Sequence, residues 1–229
     1  MIIISDSHVS NETADEFFKM LEMIENTDHS VVFLGDIFDL WISIPRYEKP
    51  NHKKFLKWCK EQNNNRTIGV IEGNHEFFVA REHINCFTWA DKEEFTEDGI
   101  VYIHGDMINT NDKGYRLLRV LSKNLIMKAI FTYIPNGARI IHWLEKKIGK
   151  INPKKRYKLP DNDINNFAKN RFEKNNKIIL MGHFHQSKTY EFSDNRVFLL
   201  PDWYTTKKIS YLDMDKRTII SDHYENILN

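Results

Sequence analysis

Five short apolar runs punctuate this chain, and each stops at residues able to hold a metal or a proton. Ile2-Ile3-Ile4 leads into Ser5-Asp6-Ser7-His8, and Val31-Val32-Phe33-Leu34 into Gly35-Asp36-Ile37-Phe38-Asp39. Ile68 to Ile71 leads into Glu72-Gly73-Asn74-His75-Glu76, Ile100 to Ile103 into His104-Gly105-Asp106, and Ile178 to Met181 into Gly182-His183-Phe184-His185. Unbroken apolar runs of this length predict strands buried on both faces. Between the first two, Phe17, Phe18, Met20, Leu21 and Ile24 recur at helical spacing behind a start signal at Asn11-Glu12-Thr13. Residues 51–62 repeat that pattern with Phe55, Leu56 and Trp58. Strand, helix, strand, helix, strand is the order of an α/β domain with parallel central strands, and a hairpin-like pair around Thr96 and Ile100 to Ile103 predicts a mixed sheet. Sites in such sheets lie beyond the carboxyl ends of the strands, so the five tips are expected to converge.

Past Asp106 the pattern changes. Tyr115 to Gly149 is helical in period, interrupted at Pro135-Asn136-Gly137, and a further helix is expected near Asp161 to Lys174. The C-terminal part returns to short alternating strands, Thr189 to Phe192, Val197 to Leu200, Lys208 to Leu212 and Thr218 to Ser221, which suit a second, largely antiparallel sheet. A chain of 229 residues can bury a full core, and one domain over 1–229 with a helical insert at about 113–176 is the simplest organisation.

Charge sharpens that division. From Lys113 to Lys177 there are 17 Lys and Arg against 4 Asp and Glu, a balance of +13, which leaves 16 against 28 elsewhere, a balance of −12. An acidic body suits cations, and a basic amphipathic insert suits an anionic ligand or membrane surface, although a solvated helical cap on a core reads the same way. Few stacking aromatics interrupt its leucines and isoleucines, so nucleic acid is not expected. Cys59 and Cys86 make no disulfide framework and fit reduced thiols in the cytoplasm. Met1 runs straight into the first strand, so no signal peptide is expected, and no apolar run approaches the roughly 20 residues of a membrane span.

Carboxylate, imidazole and amide groups at the tips suit borderline divalent ions such as Mn²⁺, Fe²⁺ or Zn²⁺ better than Ca²⁺ or Mg²⁺ alone. Asp36 is the candidate oxygen ligand shared by two ions, and His183-x-His185 sets two imidazoles on one face of an extended segment. Two ions roughly 3.5–4 Å apart would serve in-line displacement at phosphorus. His75 is the candidate general acid, and Asp39 and Asp106 are candidates for carboxylates that orient a ligand imidazole.

Taken together, Asp6-x-His8, Gly35-Asp36-x-x-Asp39, Gly73-Asn74-His75-Glu76, His104 and Gly182-His183-x-His185 resemble the calcineurin-like metallophosphoesterase superfamily over nearly the whole chain. The resemblance implies a four-layer sandwich of two mixed β-sheets flanked by helices. It assigns Asp6, His8, Asp36 and His185 to one metal and Asp36, Asn74, His104 and His183 to the other. Within the superfamily, Leu34 to Trp41 and His104-Gly105-Asp106 continuing through Thr110, Asp112, Tyr115 and Arg119 are similar to the UDP-2,3-diacylglucosamine hydrolases, as is Pro201-Asp202-Trp203. That likeness implies cleavage of a nucleotide-linked lipid to UMP and an acylated sugar 1-phosphate, with the insert as an acyl-binding lid at the membrane. It also implies substrate contacts from Asn74, His75, Asp112, Tyr115, Asn152, Lys155 and His183. Three positions depart from that pattern. His75 and Glu76 stand where those enzymes carry Arg and Asp, and Ile148 falls on their lid serine.

Overall fold

The computed structural model describes residues 1–148 and 158–229, with main chain only over 144–148. In chain order, β1 (Ile2–Ile4) is followed by α1 (Ala14–Glu25), β2 (Val31–Phe33), the short β3 (Trp41–Ile42), α2 (Pro50–Gln62), β4 (Ile68–Ile71) and the short β5 (Glu76–Phe77). Next come the single-turn α3 (Val79–Glu82), β6 (Trp89–Asp91), β7 (Glu94–Glu97) and β8 (Ile100–Ile103). Among the described residues four helices then intervene, α4 (Lys113–Ser122), α5 (Leu125–Tyr133), α6 (Gly137–Ile148) and α7 (Asp161–Phe172). The chain closes with β9 (Ile178–Met181), β10 (Lys188–Phe192), β11 (Asn195–Leu199), α8 (Trp203–Thr206), β12 (Lys208–Asp213), β13 (Thr218–His223) and α9 (Tyr224–Leu228).

The strands form two mixed sheets, β13-β12-β1-β2-β4-β6 and β10-β11-β9-β8-β7, beside a small β3-β5 ribbon. Alternation along each strand builds the layers. In β1, Ile2 and Ile4 face α1 and α2, while Ile3 faces the second sheet. Val31 and Phe33 against Val32 divide in the same way. In the second sheet Ile178 and Leu180 meet the first, and Ile179 and Met181 pack on Ile164 and Ala168 of α7. Helix, sheet, sheet, helix is thus the four-layer α/β order expected, and both faces of the central strands are dry, which is why their runs carry no polar alternation.

Two expectations are corrected. The four C-terminal strands do not make a sheet of their own. β10 and β11 join β9, whereas β12 and β13 add antiparallel to β1 with Ile2 opposite Tyr211. Covering the free edge of β1 is what that second pairing achieves. The long helical stretch also breaks once more than expected, at Lys123-Asn124, where the Asn124 side chain accepts the Met127 N–H at 2.9 Å and starts α5 afresh.

Candidate metal centre

β1, β2 and β4 of one sheet and β8 and β9 of the other run so that their carboxyl ends share one edge of the sandwich. Two glycines let the tips approach. A methyl group on Gly35 (φ +82°) would lie 2.4 Å from the Gly73 nitrogen, and one on Gly73 would lie 2.2 Å from Asp36 Oδ1. The side chains are aimed by an uncommon backbone. Asp6, His8, Asp36, His183 and His185 all have φ between 41° and 69°. That left-handed conformation costs a non-glycine residue about 1–2 kcal/mol and clusters at functional sites.

Those turns bring the ligating atoms together. Asp6, His8 and His185 form one group, His8, Asp36 and His75 a second, and Asp36, His104 and His183 a third, with the atoms of each within 4.8 Å of one another. Asp36 Oδ2 lies 3.4 Å from His104 Nε2, 3.7 Å from His8 Nε2 and 3.8 Å from His75 Nε2, so one oxygen faces three imidazoles. Asn74 Oδ1 joins at 3.1 Å from His104 Nε2. His104 Nδ1 sits 2.7 Å from the Leu34 carbonyl, which holds a proton on Nδ1 and turns Nε2 inward. Asp39 contributes its main-chain carbonyl, 2.5 Å from His75 Nδ1.

Charge balance follows from burial. For Asp6 and Asp36 burial works against the anion, yet the surrounding imidazoles outweigh it and hold both carboxyls well below their ordinary range. Burial pushes His8 and His183 down to about 4, leaving both neutral with lone pairs to donate. Burial lowers His104 too, but Asp36, Asp6 and Asp106 prevail and bring it to about 10.

A family model described as Calcineurin-like phosphoesterase matches residues 1–211. The chain belongs to that family. A UDP-2,3-diacylglucosamine hydrolase of Wigglesworthia glossinidia brevipalpis is 24% identical over 94% of this chain and 91% of its own, and one of Shewanella piezotolerans is 24% identical over 96% of each. A solved protein-tyrosine phosphatase of a psychrophilic Shewanella species overlaps 98% of this chain and 77% of its own at 13% identity, with a TM-score of 0.49. Membership makes the chain a metal-dependent phosphoesterase, a hydrolase of phosphoric esters.

The residues present fit divalent cations. Asp6 Oδ1 and His185 Nδ1 are buried with no hydrogen-bond partner, and Asp6 Oδ1 lies 3.4 Å from His185 Nε2. A buried carboxylate oxygen with no hydrogen-bond partner, facing an imidazole nitrogen, is what a cation would satisfy. Of the expected substrate contacts, Asp112 accepts the Tyr115 N–H at 3.0 Å as the cap of α4, and the Tyr115 hydroxyl donates to Asp106 Oδ2 at 2.6 Å. Asn152 and Lys155 lie outside the described residues.

Two residues at the site escaped sequence reasoning. Glu76, fully buried, accepts N–H groups of Asp36 (2.7 Å) and Gly73 (2.8 Å) on Oε2 and of Ile37 (2.7 Å) and Phe38 (3.4 Å) on Oε1. Burial and the Asp36 carboxylate push its carboxyl up to about 7, while the four donors favour the anion. Its place at the end of Gly73-Asn74-His75-Glu76 was the signal available. Asp202, also buried, sets Oδ1 3.8 Å from His185 Nδ1 while Oδ2 caps α8 through the Thr205 N–H at 2.7 Å. Only its neighbour Trp203 drew attention to it.

Proposed function

We propose that this chain is a dinuclear, Mn²⁺-dependent pyrophosphate hydrolase acting on a nucleotide-linked lipid, UDP-2,3-diacylglucosamine or a close analogue, to give UMP and the acylated sugar 1-phosphate. Asp6, His8 and His185 would hold one cation and Asn74, His104 and His183 the other, with Asp36 shared. The observation that carries the dinuclear reading is the single Asp36 oxygen facing His8 and His104 from opposite groups. Bound there, the cations would polarise the phosphoryl oxygens and ease deprotonation of water near neutral pH. His75, anchored through Nδ1 by the Asp39 carbonyl, keeps Nε2 toward the site and supplies the proton that the leaving oxygen needs. Asn74, His75 and His183 stand where they can also contact the phosphates, with Asp39 and Asp106 steadying the imidazoles.

The names of the relatives and the insert support the lipid. Leu117, Leu118, Leu125, Ile126 and Trp143 on α4 to α6 are between 58% and 71% exposed amid basic neighbours, which suits acyl chains and an anionic membrane surface. No helix among the described residues is long and apolar enough to cross a membrane. We therefore take residues 1–229 as one phosphoesterase unit whose insert, about 113–176, contacts lipid at the inner, cytoplasmic face. Purified protein with Mn²⁺ should release UMP from UDP-2,3-diacylglucosamine in detergent micelles. Turnover of bis-aryl phosphate without UMP release would instead favour a generic metallophosphoesterase acting on a soluble phosphodiester, nucleotide or phosphoprotein, the reading that His75 in place of arginine supports.

A further inference from the structure

Helix α4 sits against the body the wrong way round for an amphipathic helix. Leu117, Leu118 and Val120 are 59% to 64% exposed, whereas Tyr115, Arg119 and, at the helix's C-terminal cap, Lys123, spaced four apart, turn inward. Apart from the Lys92 carbonyl, which accepts from Arg119 Nη2 at 3.3 Å, their partners belong to the two loops carrying Asn74 and His104. Arg119 Nε donates to Asp106 Oδ2 at 2.7 Å, beside the Tyr115 hydroxyl, and Nη2 reaches the Glu72 carbonyl at 3.3 Å. Lys123 Nζ donates to Glu72 Oε2 at 3.0 Å and to the Gly73 carbonyl at 2.7 Å, the peptide that leads into Asn74. The Lys123 and Glu72 side chains are only 5% and 2% exposed.

Two buried ion pairs on one helix face are an expensive way to dock it. Desolvating each charge costs several kcal/mol, and apolar packing of equal volume is commonly as stable or more so. What such pairs supply is orientation, because each has one satisfying geometry. Here that geometry fixes two carbonyls in front of Asn74 and a carboxylate two residues after His104, all serving the Asp36-Asn74-His104-His183 group. The Asp6-His8-His185 group receives no contact from Arg119 or Lys123 among these bonds.

We infer that Arg119 and Lys123 are positioning residues for the second cation, so that the first helix of the insert is part of the metal centre rather than only a cover for substrate. This rests on the dinuclear reading above. Outer contacts of this kind tune metal affinity by roughly ten- to a hundredfold. Deleting the insert would then abolish turnover of every substrate, small diesters included, by loss of one ion.

The test is calorimetric titration of metal-stripped, full-length protein with Mn²⁺, with the spin-coupled dimanganese signal in electron paramagnetic resonance as a second readout. Wild type should take up two ions. Lys123→Met should keep the first binding event and weaken the second at least tenfold, losing the coupled signal. Because that variant strands Glu72, the neutralised pair Lys123→Met/Glu72→Gln is measured beside it and should show the same selective loss. Val120→Ser, on the outward face of the same helix, should bind both ions as wild type does. Two unchanged events in the neutralised pair, or equal weakening of both, overturn the inference. Fewer than two ions on wild type overturn the dinuclear reading itself, and the inference falls with it.

Discussion

Replacing Glu76 by Gln tests whether one carboxylate clamps the centre. The side chain keeps its size, but one of its oxygens becomes an NH₂ group. Oε2 accepts from Asp36 and Gly73 and Oε1 from Ile37 and Phe38, so either orientation of the amide leaves two buried main-chain N–H groups facing a donor. Each orphaned buried group costs about 1–3 kcal/mol, which makes about 2–6 kcal/mol in all. A domain is stable by about 5–15 kcal/mol, so the variant should fold and unfold early. The loss also displaces Asp36, whose Oδ1 accepts the His75 N–H at 2.9 Å and whose Oδ2 faces both groups of imidazoles. Urea unfolding of the metal-free protein isolates the first effect, since bound cations would add their own stabilisation, and Mn²⁺ titration reads the second. We expect a lower midpoint with unchanged slope and weakened uptake of both ions. Stability within about 0.5 kcal/mol of wild type, the range of an ordinary surface change, together with full Mn²⁺ affinity would refute the clamp.

Other perturbations separate binding from chemistry and from packing. Asp36→Ala should lose both cations and all measurable turnover, read by metal analysis of the dialysed protein; retention of either ion contradicts a shared carboxylate. His75→Ala should keep both ions while kcat falls by roughly 10²–10⁴-fold, and metal loss would reassign the residue from proton donor to ligand. His52 lies away from the centre, buried against Trp41 and Phe38, and burial lowers it to about 3. The unfolded chain takes up a proton below pH 6.5 that the folded chain refuses, so this residue's penalty is absent above that pH and grows by about 1.4 kcal/mol per unit as pH falls toward 3. His52→Phe should therefore shrink the drop in stability between pH 7.5 and pH 5 by about 2 kcal/mol. Equal drops in the two proteins would show that His52 does not titrate as its burial requires.

Much of this protein was legible along the chain because its chemistry lies at strand ends. A dry parallel strand needs an unbroken apolar run and must stop where the backbone turns, so Ile2 to His8 or Ile178 to His185 announces both the strand and its tip within a few residues. Helix starts and the Lys113 to Lys177 charge imbalance are likewise local. Long-range pairing was beyond its reach. Whether the β12-β13 hairpin joins β1 or the β10-β11 hairpin depends on which edge is left uncovered, and alternation is the same in either case. The roles of Glu76, Asp202 and Lys123 were hidden for the same reason. An acidic or basic side chain reads as surface until the fold surrounds it, and what it then holds is main chain from another loop, which carries no residue type to recognise. Sequence determined which groups could bind metal; only the packing of two sheets and one inverted helix decided how rigidly they are held.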